Sequence, residues 1–209
     1  MDADPRAQDG YGVRFDWGAA GARALIHPDA LVVVVDVLSF STTVAIAVSR
    51  GAAVRPCRHD GSATALSPIA VAAADTGAAV VTAALRNAHA VAGWAAARGY
   101  GTPDRPVNVV AAGERWPDGT LRPALEDLLG AAVLLRALDS GHRSPEAGAA
   151  AAALDGVGDL GAALRGCASG RELAAVGWVD DLAAAGEADV DAVVPLLRDG
   201  AFRDAAAAP

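Results

Sequence analysis

The stretch Leu31-Val-Val-Val-Val35, followed at once by Asp36, constrains the fold more than any other. Consecutive β-branched residues favour extended backbone. A strand with one wet face would alternate apolar and polar positions. This one is apolar on both faces, as a strand covered by helices on both sides of a parallel sheet must be. The carboxylate that ends the run is costly beside such a strand unless it is paired or bound.

Helix signals separate further strand-like runs. Ser39, Ser41 or Thr42 opens a helix to about Arg50, closed by Gly51. A second strand is predicted over Ala53 to Pro56. Ser67-Pro68 opens a helix to Asp75 with Gly77 as its stop, and Ala79 to Thr82 is the next strand. Asn87 caps a helix ending at Arg98-Gly99. Val107 to Ala111 is another strand, the turn Gly113 to Gly119 follows, and a long helix covers Ala124 to Leu138. This alternation predicts an α/β fold, a mostly parallel sheet flanked by helices.

The last third changes character. Helices are predicted from Ser144-Pro145-Glu146, over Asp159 to Cys167, and from a capping box at Ser169-Gly-Arg-Glu172 to Gly177. Asp191 to Val194 adds a short strand. We read residues 1–209 as a single domain with a helical C-terminal lobe, its boundary near 139–145.

Composition narrows the function. Apolar residues make up 53% of the 209, which excludes a disordered chain. All 17 basic residues are arginine. The missing lysine removes a phosphate-binding loop ending in Lys, a Schiff-base lysine and the kinase lysine. A net charge of −8 argues against nucleic acid as partner, since phosphate neutralisation needs a basic surface. No apolar run approaches the about 18 residues of a membrane span, and the first residues lack a secretion signal's basic flank and apolar segment. We therefore expect no membrane partner and a soluble, cytoplasmic protein. Cys57 and Cys167 form no metal-ligand spacing or disulfide framework and read as small apolar residues.

In open parallel sheets, ligands bind beyond the carboxyl ends of the strands. Those positions hold Asp36 with Ser39, Ser41, Thr42 and Thr43; Arg86 with Asn87; and Glu114 with Arg115. Carboxylates suit a hard divalent cation, arginine forks match phosphate, and helix starts favour anions. Plainer readings stand beside each. Asp36 caps the following helix. Arg86-Asn87 is a cap beside a solvated arginine, and Glu114-Arg115 a surface ion pair. Glu126 and Asp127 answer the dipole of the long helix. Other motifs fail on context. Gly156-Val-Gly158-Asp-Leu-Gly161 follows a helix rather than a strand, so it is no dinucleotide site. No G-x-S-x-G elbow exists, and the four histidines lack zinc spacing.

Four stretches together resemble the 2-phosphosulfolactate phosphatase family. They are Val35-Asp-Val-Leu-Ser-Phe-Ser-Thr-Thr43; Leu85-Arg-Asn-Ala88; Ala111-Ala-Gly-Glu-Arg115 through Leu125-Glu-Asp-Leu-Leu-Gly130; and Ala168 to Gly177 with Asp180-Asp181. The resemblance spans about residues 31 to 195. Two features depart from the pattern. Ser39 stands where the family has arginine, and Asp60-Gly61-Ser62 is what remains of an asparagine-glycine-threonine motif. The segment between Val54 and His59 is also shorter than the family's.

The resemblance implies a magnesium-dependent phosphatase acting on a small anionic phosphomonoester, 2-phosphosulfolactate or a related phospho-hydroxy acid. Asp36 would be the primary Mg2+ ligand, with Glu114 or Asp127 completing the site. Gly61, Ser62, Arg86 and Asn87 would join Ser41, Thr42 and Thr43 around the substrate, and Arg115 would stabilise charge in transfer. A ligand role suits Asp36 better than a nucleophile role, because Leu38 fills the second position of a D-x-D pair. Two alternatives stay open: a catalytically silent member that binds an anionic metabolite, and another enzyme on the same scaffold. A homo-oligomer is compatible with either.

Overall fold

The computed structural model describes residues 4–55, 77–138 and 141–207. Its main sheet has six strands in the order β1-β4-β2-β3-β7-β8. These are β1 (Val13–Trp17), β2 (Leu31–Val35), β3 (Ala79–Ala83), β4 (Val107–Ala111), β7 (Pro195–Arg198) and β8 (Ala201–Asp204). The first four are mutually parallel, and β7 and β8 extend the β3 edge antiparallel. A separate two-stranded hairpin joins β5 (Glu114–Arg115) to β6 (Leu121–Arg122).

Strand β2 behaves as its composition requires. All five residues are buried. Leu31, Val33 and Val35 enter one core cluster, while Val32 and Val34 enter the other. Side chains alternate across a strand, so each face needs its own helical cover. On one face lie α1 (Gly18–Ala24) and α2 (Phe40–Ser49), contributing Ala22, Phe40, Val44 and Val48. On the other lie α3 (Ala88–Ala97), α4 (Leu125–Ala137), α5 (Pro145–Ala152), α6 (Leu160–Gly166) and α8 (Val179–Ala185). Val91, Leu134, Ala147, Leu164 and Leu182 form one cluster there, so both sides of the 139–145 region share a core. Helix α7 (Ala168–Ala175) is mostly exposed beside them.

The strand order decides where a site can form. Strand β4 inserts between β1 and β2, although α2, β3 and α3 lie between it and β2 in the chain. From β2 the chain leaves into α2 on one face, and from β4 it leaves toward α4 on the other. Adjacent strands whose exits diverge open a crevice at their carboxyl ends, and that is where sheets of this type bind ligands.

Several expectations are corrected. Residues 53–55 form no strand; Val54 makes one antiparallel bridge to Phe202. The short strand predicted over Asp191 to Val194 lies four residues later, at β7, which pairs antiparallel and so owes little to residue type. Helix α7 starts before the expected capping box. Cys167 is its N-cap, its Sγ accepting from the Gly170 N–H at 3.3 Å, while Ser169 sits in the first turn. The turn over 113–119 is the larger part of the β5–β6 hairpin. Strand β1 was hidden by Arg14 and Asp16, which resemble solvent-facing residues. Yet Arg14 is buried, its guanidinium donating to the Ala7 and Tyr11 carbonyls. The helix expected from Ser67 to Asp75, with Cys57, Gly61 and Ser62, lies outside the described residues.

Gly130 sets the approach of α4 to the sheet. A Cβ there would meet Val37 Cγ2 at 2.6 Å and Val35 Cγ1 at 3.0 Å. Valine side chains have one favoured χ1 and yield poorly. Gly130→Ala should therefore destabilise the protein, because about 1–3 kcal/mol of overpacking outweighs the about 1 kcal/mol helix preference of alanine. Urea unfolding of the two proteins measures the sign.

Candidate functional site at the ends of β2 and β4

Asp36 follows β2 directly and is half-buried. Its Oδ1 accepts from the Phe40 N–H at 3.2 Å, so it does cap α2. Its Oδ2 takes no hydrogen bond from any described residue. Burial pushes its carboxyl up to about 6, with the Phe40 N–H opposing and the charges of Glu114 and Glu126 adding to the rise. Glu114 opens the hairpin just beyond β4. Its carboxyl is raised first by burial and then by Glu126, against the pull of Arg122.

Asp127, in the first turn of α4, joins the two strand exits. Its Oδ1 accepts from the Val37 N–H at 2.7 Å and its Oδ2 from the Gly113 N–H at 2.8 Å. The Ala112 N–H donating to the Val35 carbonyl at 2.8 Å closes the same junction. The Asp127 carboxyl sits well above the usual range, chiefly through burial and then through Asp36. Its neighbour Glu126 is 2% exposed, with Oε2 accepting from the Cys167 thiol at 3.3 Å. That thiol is pushed up to about 11 by burial, which leaves it protonated and unreactive.

Asp36 thus feels the charges of Glu114 and Glu126, and Asp127 those of Asp36 and Glu126. Arg122 opposes Glu114 and Glu126. It lies directly across the hairpin from Glu114, and its guanidinium grips Glu172 of α7 through contacts of 3.1 and 2.9 Å. Between hairpin and helix lies a cavity of about 290 Å³ lined by Leu38, Glu114, Ser169, Glu172, Leu173 and Val176. Among the described residues, no three His, Cys, Asp or Glu side chains gather closely enough to cage a metal ion.

The other predicted site residues are placed differently. Ser41 Oγ is buried, hydrogen-bonded to Thr82 Oγ1 and accepting from the Asp36 N–H. Thr42 Oγ1 donates to the Val37 carbonyl at 2.8 Å. Both hydroxyls fasten the β2–α2 turn, and of the three only Thr43 is exposed. Asn87 is buried, its Oδ1 accepting from the Ala84 N–H and its Nδ2 donating to the Val193 carbonyl. Arg86 pairs with Asp191 at 2.7 Å and with Glu187, so its guanidinium serves the C-terminal segment. Arg115 is exposed and donates to the Gly119 carbonyl. Sequence reasoning missed Arg122, Glu172 and Ser169 as neighbours of the acids. The alternation of the hairpin could have shown Arg122, had its strands been recognised.

A three-layer α/β sheet whose adjacent strand exits diverge opens a crevice at the strand ends, the place where sheets of this class bind ligands. The model of the 2-phosphosulpholactate phosphatase family matches residues 62–200, more than half of the chain. The chain belongs to this family, and so to the phosphoric monoester hydrolases. The match covers Ser62, Arg86, Asn87, Glu114, Arg115 and Asp127. It begins after Asp36, Ser41, Thr42, Thr43 and Gly61, where the resemblance in the sequence had started near residue 31. No curated protein matches this sequence.

Two consequences are measurable. Asp127→Ala leaves two backbone N–H groups unpaired, at about 1–3 kcal/mol each, so a loss of about 2–6 kcal/mol is expected in urea unfolding. Asp36 binds its proton more tightly folded than unfolded. Its contribution to stability is therefore complete below the ordinary carboxylate range and is lost as pH rises from about 4 through about 6. The stability difference between the parent and Asp36→Asn, measured without metal across that range, should shift against the parent as pH rises.

Proposed function

We propose that this phosphatase hydrolyses a small anionic phosphomonoester with a divalent cation, Mg2+, held at the ends of β2 and β4. The observation that carries the reading is the set of raised carboxyls at the ends of β2 and β4, where Asp36 feels the charges of Glu114 and Glu126, Asp127 feels that of Asp36, and Arg122 pulls against Glu114. An anionic ester meets repulsion there unless a cation reverses the local field.

The donor set fits magnesium. Every available ligand is a hard oxygen, and Mg2+ takes one or two protein carboxylates and fills its remaining positions with water and substrate phosphate. Asp36 Oδ2, which accepts no hydrogen bond from any described residue, is the first ligand, and Glu114 is the natural second. Asp127, proposed from the sequence as an alternative ligand, spends both oxygens on backbone N–H groups and acts by fixing the two loops. When bound, the ion supplies charge neutralisation and orients an attacking water.

The chain's own residues do the rest. The Phe40 N–H restrains one oxygen of Asp36, which leaves the other aimed for binding. Leu38, Leu173 and Val176 wall the cavity with apolar surface, limiting water around the ester. The substrate class is 2-phosphosulpholactate or a related phospho-hydroxy acid, the size of which suits the cavity. We place the enzyme in the cytoplasm, a reading supported by a free, buried thiol at Cys167.

Asp36→Asn should abolish magnesium-dependent hydrolysis while keeping the far-ultraviolet dichroism of the parent. Calorimetric Mg2+ titration of both proteins is the direct check. Equal affinity in the two would remove Asp36 from the metal site. Magnesium-dependent substrate binding without any turnover by the parent would instead favour the silent-member reading.

A further inference from the structure

We propose that Arg122 selects the substrate's second acidic group, releasing Glu172 to bind it. The inference rests on the phosphatase reading above and names the specificity residue of the same site. Arg122 and Glu114 are cross-strand partners in the hairpin, so their side chains share one of its faces, and Glu114 lines the cavity. Arg122 then reaches Glu172, which itself lines the cavity. The two partners are unequally buried: the Arg122 side chain is 15% exposed, that of Glu172 62%.

That asymmetry makes exchange inexpensive. Glu172 swings into water, where its charge is well solvated, while the guanidinium stays in place against Trp116, whose ring centroid is 5.6 Å away. A carboxylate or sulfonate on the substrate presents the same paired oxygens that Glu172 offers, which is the geometry a guanidinium fork matches. The incoming group thus replaces one charge-assisted pair with another. The alternatives are poor: Arg86 is held by Asp191 and Glu187, and Arg115 turns to Gly119. The remaining charged walls, Glu114 and Glu172, repel an anion.

The experiment compares kcat/KM for 2-phospholactate and isopropyl phosphate, which replaces the carboxylate by a methyl group. Full-length parent, Arg122→Gln, Arg122→Lys and Glu172→Gln are assayed with Mg2+ at fixed salt. The ratio of the two values should fall by about tenfold in Arg122→Gln, through KM more than kcat, as loss of a charge-assisted pair requires. Arg122→Lys should restore part of it, and Glu172→Gln should raise it above the parent's. A ratio unchanged in Arg122→Gln, including one where both substrates suffer equally, overturns the proposal, because a purely structural arginine gives that result. If the parent hydrolyses neither ester, the reaction assignment fails instead. Calorimetric titration of 2-phospholactate then decides: tighter binding by the parent than by Arg122→Gln supports the proposal, and equal or absent binding overturns it.

Discussion

One carboxylate holds the working end of this protein together. Asp127 accepts a backbone N–H from each of two loops that leave adjacent strands toward opposite faces of the sheet. The strand ladder ends at Val35 and Ala111, and beyond it the backbone adds the bond from the Ala112 N–H to the Val35 carbonyl. The tie is made from α4, whose first turn lies over the crevice and whose Gly130 permits the helix to sit against Val35 and Val37. Burying a carboxylate is costly, and the two N–H donors offset that cost only in part, which is why its proton affinity rises. The strain is electrostatic and local to the crevice.

The same frame explains why acids collect at these strand ends. Asp36 and Glu114 are each delivered by a strand end, Glu126 comes with Asp127 on one helical turn, and the charges of Glu114 and Glu126 act on Asp36 while those of Asp36 and Glu126 act on Asp127. Such a group is poorly stabilised alone and well stabilised around a cation. Arg122, which opposes Glu114, is itself paired outward to a solvent-exposed glutamate.

Much of the frame was legible in the residues. The two-faced strand at Leu31–Val35, the helices that follow, and the acids at the ends of β2 and β4 all follow from local patterns. Asp36 could be singled out because a carboxylate directly after an apolar strand is anomalous, and Glu114 because it lies in the loop beyond the carboxyl end of another strand. Other polar residues nearby were read too generously. Ser41, Thr42 and Asn87 sit at helix starts, which suggests phosphate contacts, yet their side chains turn inward and satisfy the turns that carry them. Arg86 was claimed by Asp191, which lies 105 positions away. Arg122 and Glu172 are 50 positions apart, beyond the reach of any helical or strand periodicity.

What the sequence by itself determined is therefore the class of layer structure, the strand ends that carry acids, and the family. These depend on side-chain alternation, capping and turn chemistry, which act over a few residues. Only the tertiary structure decided which of the polar residues meet. The insertion of β4 between β1 and β2 brings Glu114 beside Asp36, and the hairpin then lays Arg122 against α7. Strand order is chosen by the fit of whole helical layers over both faces of the sheet. No local pattern encodes that fit.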